Sequence, residues 1–201
     1  MKSRELSVRG AFEFVPEVFE DPRGIFVSPF QESAFESALG HRLFPVAQTN
    51  HSRSRAGVVR GAHFTVTPPG TAKYVYCARG SAVDIVIDIR VNSPTFGAWD
   101  TAVLDPVGMR AMYLPVGVAH AFVALEDNTV MSYMLSGEYV RENELALSVF
   151  DPEIGVVLPR LCDPVLSERD RDAPGLTQLQ ESGLLPDYGE CRRIERAMYG
   201  V

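Results

Sequence analysis

The sequence predicts an all-β fold, a double-sheet jelly-roll barrel with a few peripheral helices, and three observations carry that prediction. Short strand-like runs recur from Gly10 to about Phe150, with Gly and Pro at the joints between them. The clearest run, Ser81 to Arg90, alternates strictly: Val83, Ile85, Ile87 and Ile89 fall on one face, and Asp84, Val86, Asp88 and Arg90 on the other. Helical periodicity is confined to Glu32–Leu39, Leu176–Ser182 and the stretch around Arg192–Met198. Two stacked sheets accommodate so many short strands, and the helices are left to the outside.

In chain order, Glu32–Leu39 is the first of the expected helices. The segment Gln48–His63, QTNHSRSRAGVVRGAH, then places polar and charged groups where a β scaffold would want apolar ones. Within it, Arg60-Gly61-x-His63 lies between Val58-Val59 and the Pro68-Pro69-Gly70 turn, so it reads as a strand delivering a cation and an imidazole to one place. Such a pair suits an anionic ligand and proton chemistry. Further strands are expected at Lys73–Ala78, Asp100–Leu104, Ala111–Leu114, Ala119–Leu125, Thr129–Leu135 and Ala146–Phe150. The run Leu114-Pro-Val-Gly-Val-Ala-His120-Ala-Phe122 again brings a histidine into a strand after a Pro/Gly turn. Asp151 to Pro174 is Pro-rich and without periodicity, which predicts an extended arm packed on the barrel. One domain is expected, with a core at about 10–150 and the arm and helices at about 151–201.

Composition excludes several classes. The chain has 201 residues, 46% of them hydrophobic and 22% charged, which is globular and not disordered. A formal net charge of -7 argues against nucleic-acid binding, which rests on clustered Lys and Arg. The start MKSRELSVRGAFEF lacks the apolar core of a secretory signal, and no stretch nears 18 apolar residues, so a cytoplasmic protein without membrane contact is expected. Cys77, Cys162 and Cys191 are odd in number and far apart, which fits reduced thiols, and Cys77 reads as a small core residue.

By pattern alone the candidate residues have ordinary readings too. His63 could be a satisfied strand histidine, Lys73 a surface lysine, Tyr133 a core aromatic in Val130-Met-Ser-Tyr-Met-Leu135, and Asp170 a solvated charge among Glu168, Arg169, Arg171 and Asp172. A metal centre is weakly supported. The position two after His63 is Thr65 rather than a second histidine, and His51 and His120 are the other plausible imidazoles.

Together with Asp84-Ile-Val-Ile-Asp88-Ile-Arg90, Ser93-Pro-Thr-Phe-Gly97, Lys73 and Tyr133, these segments resemble the dTDP-4-dehydrorhamnose 3,5-epimerase family from about Val8 to Asp170. The resemblance implies a double-stranded β-helix (cupin-like jelly roll) and an enzyme that needs no cofactor and no metal. It implies that His63 is the general base, paired with Asp170 in Leu166-Ser-Glu-Arg-Asp170, and that Tyr133 is the general acid on the opposite face. It places Lys73 beside the sugar ketone, where an ammonium stabilises an enolate. Arg23, Arg60 and His120 would surround the diphosphate, with Gln48 and Asn50 as neighbouring polar contacts; Phe26 and Tyr139 would stack on or flank the base. Asp84 is a second candidate neighbour of His63, and Gly24 and Gly61 read as backbone relief. The resemblance also implies a homodimer that shares N-terminal strands, with which Ala11-Phe-Glu-Phe-Val15 is compatible.

The sequence departs from the family pattern at Ser28 (usually Glu), at Thr65 and Thr71 (usually Gln) and in Met134–Tyr139. The base, acid and enolate stabiliser survive these changes, whereas the wall that positions the sugar does not. The expected activity is therefore epimerisation of a dTDP-4-keto-6-deoxyglucose-type sugar, leaning to carbon 3 alone. The alternatives are a 3,5- or 5-epimerase, a 3,4-ketoisomerase and a non-catalytic sugar-nucleotide-binding module.

Overall fold

A computed structural model of the chain describes residues 1–160 and 163–200. Its elements are β1 (Lys2–Glu5), β2 (Phe12–Val15), β3 (Val18–Asp21), β4 (Gly24–Val27), α1 (Glu32–Leu39), β5 (Gln48–Ser54), β6 (Val59–Thr65), β7 (Lys73–Arg79), β8 (Ala82–Ile87), β9 (Trp99–Leu104), β10 (Ala111–Leu114), β11 (Ala119–Ala124), β12 (Thr129–Leu135), β13 (Glu144–Ala146), α2 (Glu168–Arg171), α3 (Leu176–Glu181) and α4 (Tyr188–Tyr199). A six-stranded sheet runs β1-β2-β10-β7-β12-β5, and a five-stranded sheet runs β13-β6-β11-β8-β9. The hairpin β3-β4 forms a two-stranded sheet of its own. The expected jelly roll is what the chain forms.

Strand alternation explains the layers. Inward residues of both sheets, among them Val75, Cys77, Val86, Met112, Phe122 and Met131, make the core between the sheets. The outward face of the five-stranded sheet (Val59, Phe64, Ile85, Ile87, Ala121) is apolar as well, because the arm and α3 cover it with Leu147, Val149, Leu176 and Leu179. The outward face of the six-stranded sheet packs Phe14, Tyr74 and Tyr113 against Phe35 of α1 and Cys191 of α4. Burying both faces in this way supplies the main driving force for the fold. Cys77 and Cys191 are buried free thiols, and Cys162 lies outside the described residues.

Several boundaries differ from expectation. The strand expected at Ala146–Phe150 is β13, which starts at Glu144 and ends at Ala146; beyond it the Ser148 N–H turns away to the Pro174 carbonyl. The terminal helix is longer than its periodicity, because Asp187 caps it through the Glu190 N–H and Gly200, at φ 71°, closes it. The short helix α2 inside the arm was not expected, and its signal is Ser167, whose hydroxyl accepts the Asp170 N–H. Ser93-Pro-Thr-Phe-Gly97 has a structural role: Ser93 and Thr95 hydroxyls bond Asp88, which also holds Arg90 in a buried bidentate pair. Within the segment Ala11–Val15, β2 is paired on both sides, with β1 and β10. Among the described residues no helix is long and apolar enough to cross a membrane.

Candidate active site

A cavity of about 440 Å³ opens between the two sheets and holds most of the predicted residues. His63 enters it from β6 of the five-stranded sheet, whereas Lys73 (β7) and Tyr133 (β12) enter from the six-stranded sheet. Lys73, Val75 and Cys77 share the inward face of β7, as Met131, Tyr133 and Leu135 do on β12.

Arg60 and His63 stand three residues apart, and in a regular strand they would point to opposite faces. Both line the cavity because β6 is bulged. His120 pairs with His63 but Phe122 pairs with Arg60, so β6 uses one residue more than β11 over the same interval. Gly61 sits in that bulge at φ 105°, and a Cβ there would collide with the His120 carbonyl oxygen and the Ala121 backbone. The glycine is the backbone relief the sequence suggested.

His63 Nε2 lies 2.5 Å from Asp170 Oδ1, and the Asp170 side chain is 3% exposed. A carboxylate accepts, so Nε2 carries the proton and Nδ1 is left as the accepting nitrogen. Burial lowers the His63 pKa below the usual histidine value, and the Asp170 carboxylate only partly offsets this, which favours the neutral, proton-accepting ring at neutral pH. Burial alone would raise the Asp170 pKa, but hydrogen bonds from His63, Ser167 and the Gly61 N–H outweigh it and hold the group ionised. Burial also lowers the Lys73 pKa, opposed by the carboxylates of Glu144 and Asp84. It pushes the Tyr133 hydroxyl well above the usual phenol range, so Tyr133 stays protonated.

Other expectations need correction. Asp84 does not neighbour His63: it bonds His120 Nε2 at 2.7 Å, because β8 lies beside β11 and not beside β6. His120 is 6% exposed, with its ring 6.1 Å from that of Tyr133. Asn50 and Tyr139 line the cavity, whereas Gln48 stands behind them, donating to Asn50 Oδ1 and accepting the Tyr139 N–H. Arg23 and Phe26 do not reach the cavity of their own chain. They belong to the β3-β4 hairpin, where the Arg23 side chain is 90% exposed and pairs with Asp21 at 2.6 Å, and Phe26 is 70% exposed.

Glu144 and Arg169 are among the lining residues that escaped sequence reasoning. Glu144 accepts the Thr65 hydroxyl at 2.7 Å, so the unusual Thr65 is used, and Arg169 precedes Asp170 on α2. Both lie in charged runs, Arg141–Glu144 and Glu168–Arg171, that read as solvated surface; a charge adjoining Asp170 was the available signal for Arg169. Among the described residues no group of three or more His, Cys, Asp or Glu side chains is placed to hold a metal ion. A neutral base, a protonated acid on the opposite wall and a nearby cation form a set suited to exchanging a proton next to a carbonyl.

Residues 5–178 match the protein family described as dTDP-4-dehydrorhamnose 3,5-epimerase. The chain belongs to that family. It is 43% identical over 203 residues to the dTDP-4-dehydrorhamnose 3,5-epimerase of Mycobacterium tuberculosis, covering 100% of both chains. It is 43% identical over 194 residues to the dTDP-4-dehydrorhamnose 3-epimerase of Streptomyces niveus, covering 96% of this chain and 93% of the other. Among solved structures, a 3'-monoepimerase of Streptomyces bikiniensis in complex with dTDP-quinovose superposes with a TM-score of 0.91 at 38% identity, covering 98% of each chain. As a member of this epimerase family the chain is an isomerase.

Proposed function

We propose that the chain epimerises a dTDP-4-keto-6-deoxyglucose-type sugar without a cofactor or metal, inverting carbon 3. The observation that carries this reading is the placement of His63 and Tyr133 on opposing sheets, since inversion requires proton removal from one face and return to the other. His63, aimed by Asp170, takes the proton from the carbon beside the ketone. Lys73 receives the developing enolate charge, and Tyr133 delivers a proton to the far face. Arg60 and Arg169 supply cations for the diphosphate and Tyr139 a ring for the nucleoside base, with Asn50 as a polar contact and Gln48 holding Asn50 and Tyr139 in place.

The site is completed, in this reading, by a second copy of the chain. The β3-β4 hairpin exposes Phe19, Ile25 and Phe26 at 56%, 52% and 70%, an apolar surface that costs free energy in water. A homodimer that docks this hairpin at the neighbouring cavity buries it and brings the partner subunit's Arg23 and the partner subunit's Phe26 to the nucleotide.

The lean to carbon 3 rests on the changed wall. Thr65 and Thr71 are shorter than the family's usual residues, and Thr65 is committed to Glu144. A second inversion needs the ring to be turned so that another carbon meets the same base and acid, which a wall shaped for one pose does not favour. The test is incubation with dTDP-4-keto-6-deoxyglucose in heavy water, followed by NMR of the sugar ring. Deuterium at carbon 3 alone supports the reading; label at carbons 3 and 5 at comparable rates identifies a 3,5-epimerase; absence of exchange removes the catalytic reading altogether.

A further inference from the structure

Two histidine–aspartate pairs stand side by side in the barrel. His63 and His120 are register partners on β6 and β11, and each Nε2 is bound to a buried aspartate, Asp170 at 2.5 Å and Asp84 at 2.7 Å. The aspartates differ in one respect. Both oxygens of Asp170 are used, by His63 and by the Gly61 N–H, whereas Oδ2 of Asp84 has no hydrogen-bond partner although the residue is 0% exposed. It is the only buried side-chain polar atom left unpaired among the described residues. An unpaired buried carboxylate oxygen is costly, and such exceptions call for an explanation at a functional site.

We propose that Asp84 is a positioning residue of the proton-transfer site, anchored by His120, whose unpaired oxygen supports Lys73 as an ammonium and Tyr133 as a phenol until Tyr133 gives its proton to the sugar. The proposal rests on the roles given above to those two residues. Its geometric basis is that Asp84 and Val86 share the inward face of β8, that His120 bridges from Asp84 towards Tyr133, and that His120, Lys73 and Tyr133 line one cavity. Burial works against a charged Lys73, so its cationic form needs anionic support. Glu144 of β13 gives such support and Arg169 of α2 opposes it. Around Tyr133, Ser52 of β5 and Arg60 of β6 favour loss of the proton, while Asp84 and Cys77 of β7 favour its retention. Asp84 is the carboxylate that acts on both residues in the same sense, and it does so from a dry site where salt screens little.

The test compares Asp84→Asn and Asp84→Glu with the wild type in the pH profile of kcat, with dTDP affinity measured separately. Asp84→Asn is expected to move the basic limb to lower pH and to reduce kcat at neutral pH by about tenfold or more, with dTDP binding unchanged within about twofold. Asp84→Glu keeps the charge and is expected to keep the basic limb near the wild-type position at a reduced rate. A profile unmoved by Asp84→Asn, an equal movement in both variants, or dTDP affinity falling in step with kcat overturns the proposal. Should Asp84→Asn fail to fold, amine-reactive labelling of Lys73 across pH, read by mass spectrometry in the wild-type protein and in Asp84→Ser, decides. The midpoint is expected at lower pH in Asp84→Ser than in the wild type, and an unmoved midpoint overturns the proposal. The labelling needs no substrate, so it tests Asp84 even where the assigned sugar is not turned over.

Discussion

In the proposed reaction His63 is the base, useful only in its unprotonated form, and two opposing influences set where that form begins. Burial favours the neutral ring and Asp170 favours the charged one, with burial the larger. The acid limb of kcat/KM is therefore expected below the ordinary histidine value of about 6.5, activity being present above it and lost as pH falls through it. Asp170→Asn removes the influence that raises the His63 pKa, so the limb should move to still lower pH while the neutral-pH rate falls, because the ring is less basic and less well aimed. His63→Ala should lower turnover by roughly 100-fold or more with dTDP affinity retained; loss of affinity in proportion would show a binding residue instead. At this scale the sequence was legible through its resemblance, which paired His63 with Asp170 across 107 positions. Alternation along Ser81–Arg90 put Asp84 and Val86 on one face, but alternation says neither that this face is the inward one nor which strand lies alongside, and Asp84 went to His120 instead of His63.

Strand β6 shows how an element turns spacing into function. Its bulge is what lets residues three apart share a cavity, and Gly61 is the residue that permits it. Gly61→Ala is expected to destabilise the fold by about 2 kcal/mol or more, read as a lower Tm, and to cost activity beyond that loss by swinging His63 away from Asp170. Wild-type turnover in a folded Gly61→Ala protein would show the bulge to be incidental. Strand positions were legible because both faces of each sheet are covered, which makes the runs strongly apolar. Ends were less so: β13 stops where Ser148 finds the Pro174 carbonyl, a partner 26 positions away that no local pattern reveals.

For the whole molecule, the hairpin makes a prediction that no single-chain reading could. If Arg23 serves the neighbouring cavity, Arg23→Ala and His63→Ala homodimers should each be impaired, and a mixed dimer should regain one intact site from the unmutated halves. Recovery of activity after mixing and subunit exchange checks this, and its absence would place Arg23 outside the site. The two-layer architecture was readable from short strands and Gly/Pro joints, whereas the exposed apolar surface on β3-β4 was not, and the apolar run at Phe12–Val15 is paired within its own sheet. The arm carries one last consequence, which concerns timing. Every strand of the two sheets is complete by Ala146, yet the aspartate bonded to His63 is residue 170 and arrives on the arm. A chain emerging from the ribosome thus lays down every strand before the aspartate and the apolar cover of the five-stranded sheet arrive, and a protease that severs the arm would uncover that apolar face as well as part the histidine from its partner.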